Sequence, residues 1–272
     1  VSPPQWVGEL AAQFWVDAGG PAPFPRDLRP AIAWALPVSV VPINELRVAA
    51  IDRWLHRRSI STAAVPDRPL RAALVARSGQ GFIFLEADDP PDELRFSLAH
   101  ELAHFLRAYW QPRQRVLARL GPDSRAVLDG ERPPTRVERI DSLLSRTPLG
   151  YYVHLMNRLA DGALASPAIA RAEREADLLA WELLAPAEVV GAGPNPLAPF
   201  PPREGGTGDR GSRSSPFPGR EGGEGGRSGL LDLQQRLVEH FGLPPAQAAR
   251  YARQFEAAPT PSNDLLRRLG LR

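Results

Sequence analysis

The chain has no cysteine and no lysine, one methionine and five histidines among its 272 residues. Without cysteine there are no disulfides and no thiolate zinc sites, which leaves imidazole and carboxylate as the side chains available to a metal ion. Without lysine the basic inventory is arginine throughout, which fits GC-rich coding better than a nucleic-acid partner. With a formal net charge of only +2, direct nucleic-acid binding is not expected. Long hydrophobic runs are missing as well. The longest apolar stretch, 31–43, is interrupted by Pro37 and Pro42 and is too short to span a bilayer. The N-terminal residues show no secretory hydrophobic region, so the expectation is a cytoplasmic protein without membrane association.

Two of the few histidines fall at a telling spacing. Leu98-Ala-His-Glu-Leu-Ala-His-Phe105 puts His100 and His104 four residues apart with Glu101 directly after the first. On an α-helix both imidazoles then lie on one face, about one turn apart, where they can share a zinc ion. Glu101 stands beside that ion, positioned to take a proton from water that the metal activates. The alternative is an amphipathic helix with two satisfied histidines and a surface glutamate.

The flanking sequence favours the catalytic reading. Residues 71–77 and 81–85 are apolar runs separated by Ser78-Gly79-Gln80, a β-hairpin pattern. Asp89 to Glu93 then supplies a cap candidate, prolines suited to a first turn and acidic residues suited to a helix N-terminus. A helix over 91–109 follows, with Leu94, Leu98, Leu102, Phe105 and Leu106 at helical spacing.

Two imidazoles leave a catalytic zinc site one protein ligand short. Downstream, Ser166-Pro167 opens a second helix that stops near Pro186, with Ile169, Ala172, Ala176, Leu179, Ala180, Leu183 and Leu184 on its apolar face. Glu173 falls within that face, where an unpaired carboxylate is costly and zinc would be a partner. Asp177, one turn further on, is suited to accept the outer ring N–H of a ligating histidine. As an isolated pattern, Glu173 and Asp177 would read as charges on a solvated helix edge.

Together, Arg95-Phe-Ser-Leu-Ala-His-Glu-Leu-Ala-His104 and Glu173-Arg-Glu-Ala-Asp177 leading into Leu183-Leu-Ala-Pro186 resemble the ImmA/IrrE family of metallo-endopeptidases. A weaker likeness extends over 25–41. The resemblance implies zinc ligands His100, His104 and Glu173, one Zn²⁺, and Glu101 as general base. It also implies a protein substrate, a helix-turn-helix transcriptional repressor cut in a stress-response or mobile-element switch. The rival readings are a non-catalytic zinc-containing interaction regulator and a DNA-binding regulator acting through the C-terminal helices.

The chain departs from the family pattern in three places. Leu179 stands where an aromatic is common. The interval from His104 to Glu173 is long, and its insertion, about 107–165, would be a lid over the cleft or surface decoration. Within it, Tyr151, Tyr152 and His154 are candidates to stabilise the oxyanion of the tetrahedral intermediate, with simple packing as the alternative. Residues 191–229 are rich in glycine, proline and arginine, and 199–206 recurs imperfectly as 216–223. This composition reads as a disordered linker or an inserted repeat.

Residues 230–272 regain helical periodicity around a Phe241-Gly-Leu-Pro244 turn and read as a helical hairpin that packs on the core rather than reading DNA. The expected fold is α+β: a zinc peptidase domain over 1–190 with a small, mainly antiparallel sheet on two metal-bearing helices, then the linker and the hairpin. Residues 81–85 are the expected exposed edge for an extended substrate.

Overall fold

The computed structural model describes residues 2–60, 65–140, 147–157, 167–192 and 225–256. The duplicated linker segments, the Ser166 cap and residues 257–272 lie outside the described residues. The fold is α+β, with a four-stranded mixed sheet and helices on both of its faces.

The strands are β1 (Val38–Ile43), β2 (Leu70–Arg77), β3 (Gln80–Glu86) and β4 (Tyr151–Asn157), in the order β1-β3-β2-β4. β2 and β3 form the expected hairpin. Arg77 pairs with Gln80 across Ser78-Gly79, and both turn residues have positive φ, 49° and 80°, as a two-residue I′ turn requires. β2 also pairs antiparallel with β4, whereas β1 runs parallel to β3. The expected substrate edge is therefore corrected. β3 is interior, with a partner on each side, and the terminal strands are β1 and β4. Hairpin spacing specifies the β2–β3 pairing, but the outer partner of β3 comes from a strand whose paired residues lie 43 positions upstream, which no local pattern encodes.

Side chains alternate across the sheet. Ala72, Leu74, Ala76, Ile83 and Leu85 face the larger core, while Ala73, Val75 and Phe84 face a smaller one under α3 (Val48–His56). A register shift between Leu70 and Ala72 puts Leu70 on the α3 side despite its even number. The larger core is built on α4 (Pro91–His104), which packs against α8 (Pro167–Leu184) and the sheet. Ala99 and Ala103 are fully buried in it. α1 (Gln5–Asp17) and α2 (Arg29–Ala35) close its flank.

The N-cap of α4 is Pro90 rather than Asp89, and Asp92 and Glu93 occupy its first turn, where acidic residues suit the positive end of the helix dipole. Arg71 of β2 pairs with Glu93 and, at 3.8 Å, with Asp89. The expected single helix over 91–109 is interrupted. Immediately after His104, residues Phe105–Trp110 form a π-helical turn before α5 (Gln111–Leu120) continues. Such turns concentrate at functional sites because one extra residue reorients the side chains around it. Tyr109 of this turn accepts a 2.8 Å hydrogen bond from the Gly79 N–H of the hairpin.

Beyond α5, the short helices α6 (Arg125–Leu128) and α7 (Arg136–Ile140) lead to β4, and the segment read as an insertion thus supplies a strand of the sheet. After α8 and α9 (Ala187–Gly191), the C-terminal pair α10 (Gly225–Glu239) and α11 (Pro245–Glu256) packs on the larger core through Leu237, Phe241, Leu243, Ala248, Tyr251 and Ala252. Arg236 donates to the Val190 carbonyl, the Tyr251 hydroxyl to that of Ala185 at 3.0 Å, and Arg95 to that of Gly242 at 2.7 Å.

Gly242 makes the turn between α10 and α11 possible. Its φ is +66°, and a Cβ there would come within 2.5 Å of Arg95 Nη1 and 2.9 Å of Pro25 Cβ. Gly242→Ala is expected to destabilise the protein by about 1–3 kcal/mol through overpacking and backbone strain, measured as a lower urea midpoint at unchanged slope.

Candidate metal centre

α4 presents His100 and His104 on one face as their spacing predicts, and α8 brings Glu173 against them. His100 Nε2 lies 3.2 Å from His104 Nε2 and 3.2 Å from Glu173 Oε2, and His104 Nε2 is 3.6 Å from Glu173 Oε1. His154 on β4 completes the cluster. Its Nε2 is 2.8 Å from Glu173 Oε1, and its ring stacks on that of His104 at 3.7 Å between centroids. The four residues each offer a donor atom, all within 4.8 Å of one another, a set able to bind one metal ion.

The chemistry of the donors fits zinc, which takes imidazole nitrogen and carboxylate oxygen at about 2.0–2.2 Å. His100 Nδ1 is 3.1 Å from Asp177 Oδ1. A proton shared there leaves the Nε2 lone pair facing the other donors, the form a ligand needs. His104 is held neutral, since burial pushes its pKa down to about 4. Burial also works against the charged form of His100, but hydrogen bonds to Asp177 and Glu173 outweigh it and push the ring up to about 9. Burial likewise disfavours charge on His154, and the Glu101 carboxylate, joined by Glu173, overrides it to push the pKa up to about 10. Glu173 is itself partly buried, and its hydrogen bonds to the three imidazoles take it far below the usual carboxylate range. Glu101, Glu173 and Asp177 thus draw positive charge to the point where the donors meet.

Glu101 has no exposed surface. Both of its oxygens approach His154 Nδ1, at 2.8 and 3.1 Å, so the carboxylate lies next to the cluster and outside it. The three residues singled out between 151 and 154 separate by strand alternation. Tyr152 shares the face of His154 and packs on the larger core. Burial, with Glu101 and Glu173 nearby, raises its phenol, which stays protonated at neutral pH. Tyr151 is on the opposite face, where with Val153 and Leu155 it lines an apolar cavity of about 360 Å³ under α3. The expectation of Tyr151 near the oxyanion is therefore corrected, because the strand turns it away from the cluster. His240 sits against Phe24 and Phe241 in the hairpin and not in the cleft.

One contact to this centre has no sequence signal. Arg250 on α11 donates from Nη2 to Asp177 Oδ2 at 2.5 Å. Among the described residues no helix is long and apolar enough to cross a membrane.

Residues 54–126 match the family model Peptidase_M78, described as the IrrE N-terminal-like domain. No curated protein and no solved structure matches the chain. The matched stretch contains the β2–β3 hairpin and α4 with His100, Glu101 and His104, while His154 and Glu173 lie beyond it. Over residues 54–126 the chain is thus similar to a peptidase-family domain, and the likeness to the ImmA/IrrE metallopeptidases read from its HELAH segment is borne out.

Proposed function

We propose that the chain is a zinc-dependent endopeptidase of the cytoplasm that cuts a helix-turn-helix transcriptional repressor in a stress-response or mobile-element switch. The convergence of His100, His104, His154 and Glu173 on one point, with a buried Glu101 beside it, carries this reading. His100, His104 and Glu173 hold the ion, and Asp177 orients His100. Zinc, when bound, supplies a Lewis acid that polarises the scissile carbonyl.

Glu101 accepts the proton of the attacking water and passes it to the departing amide nitrogen. His154, with the protonated Tyr152 on the same face of β4, donates to the carbonyl oxygen as it gains charge. The substrate lies extended along β4, which pairs with β2 alone among the described residues. The repressor as substrate rests on the family resemblance.

Elemental analysis of wild type, Glu101→Gln and Glu173→Ala, run beside cleavage assays on co-expressed candidate repressors, tests the reading. The expected result is one zinc per chain in wild type and Glu101→Gln, reduced zinc in Glu173→Ala, and cleavage by wild type alone. Wild type without zinc overturns the assignment. Zinc retained with no repressor cut favours an interaction regulator over a peptidase.

A further inference from the structure

We propose that Arg250 is a positioning residue of the metal centre, so that the C-terminal hairpin forms part of the machinery holding the ion. This rests on the reading of His100 as a zinc ligand. The Asp177 carboxylate is shared. Oδ1 is 3.1 Å from His100 Nδ1, and Oδ2 accepts from Arg250 Nη2 at 2.5 Å. The Asp177 side chain is only 10% exposed and belongs to a site that also gathers Glu101 and Glu173. A carboxylate in such surroundings keeps one orientation when each oxygen has its own donor.

Arg250 fixes one oxygen and thereby turns the other toward the imidazole. The proton on His100 then stays on Nδ1, and Nε2 stays directed at the metal position. Arg250 is in turn held in place. Its guanidinium lies 5.6 Å from the centre of the Trp181 ring, and the adjacent Tyr251 stacks on Trp181 and bonds the Ala185 carbonyl. On the far side of the hairpin, Arg95 of α4 bonds the Gly242 carbonyl. The helices after the linker are therefore tied both to α8, which carries Glu173, and to α4, which carries the two histidines. A hairpin whose docking loosens withdraws a donor from Asp177.

Zinc affinity measured by chelator competition on the full chain tests this. Arg250→Gln is expected to bind zinc about 10-fold more weakly or worse, the range in which outer partners of metal ligands act. The His100 Nδ1–H resonance, followed by NMR on ¹⁵N-histidine-labelled, zinc-loaded protein, is expected to broaden or disappear. Arg250→Lys keeps a charged donor and is expected to recover part of the loss. Tyr251→Phe removes only the bond to the Ala185 carbonyl, keeps the ring stacked on Trp181 and leaves Arg250 docked on Asp177, and is expected to leave affinity unchanged, separating positioning from a general loss of stability.

The decisive comparison is Arg250→Gln in an Asp177→Ala background, where no further loss is expected because the two act through one chain of contacts. Wild-type affinity in Arg250→Gln, or a loss that adds in full to that of Asp177→Ala, overturns the proposal and leaves the peptidase reading standing. Absence of zinc from wild type overturns that reading and this proposal together.

Discussion

Glu101→Gln is expected to slow cleavage by about 10²–10⁴-fold, the contribution typical of a general acid–base group, with zinc still bound. The two side chains have the same shape, and the Gln carbonyl oxygen can still accept from His154 Nδ1, which approaches Glu101 at 2.8 Å. What is lost is the capacity to take a proton. The fold keeps its packing, since Glu101 is fully buried and the amide has the same shape. The amide gives up the carboxylate charge that raises His154, so the thermal midpoint of the variant should be equal to wild type or lower. Glu101→Asp, which withdraws the carboxylate by one methylene, is expected to fall between the two in rate. Cleavage by Glu101→Gln within about 10-fold of wild type would mean that another group carries the proton, and His154 would be the next to replace.

The candidate metal site was legible in the sequence in proportion to how local its parts are. His100, Glu101 and His104 share one helix, and a 3.6-residue period is enough to align them. Glu173 and Asp177 could be named because a carboxylate on an apolar helix face requires a partner. Which partner depends on how α8 lies across α4, and only the fold settles that. Tyr151, Tyr152 and His154 were visible as candidate side chains within the long interval after His104. Their pairing with β2 spans more than seventy residues, so nothing local distinguishes Tyr151, turned to the α3 side, from Tyr152 and His154, on the face toward the larger core. The interior position of β3 was hidden for the same reason. The π turn after His104 is a change in backbone hydrogen bonding with no residue signature. Arg250 was one arginine among many until tertiary packing set it on Asp177.

Phe105→Ala is expected to cost about 3–5 kcal/mol of stability, a large share of the 5–15 kcal/mol typical of a domain. Phe105 directly follows His104 of the histidine and glutamate cluster and has no exposed surface. It is stacked 5.7 Å from Trp110 and lies 5.6 Å from Tyr109, within the π turn. Its ring fills the space above Gly81 of β3, where a Cβ would come within 2.8 Å of Cε2 and 2.9 Å of Cδ2. The absence of a side chain at Gly81 is what lets the end of α4 seat on the sheet.

Gly81→Ala is accordingly expected to cost about 1–3 kcal/mol by overpacking, since the ring it meets is enclosed and Val38 Cγ2 blocks the other side at 3.1 Å. The added methyl occupies part of the volume that Phe105→Ala empties. The double variant should therefore be more stable than the sum of the two losses predicts, by roughly 0.5–3 kcal/mol, the usual range for residues in contact. Urea unfolding of the four proteins measures the coupling. Strict additivity would mean that the end of α4 is seated by contacts other than this one. If the coupling is present, loss of zinc affinity in Phe105→Ala follows from the same displacement, because His104 is the neighbouring residue on the helix that Phe105 anchors.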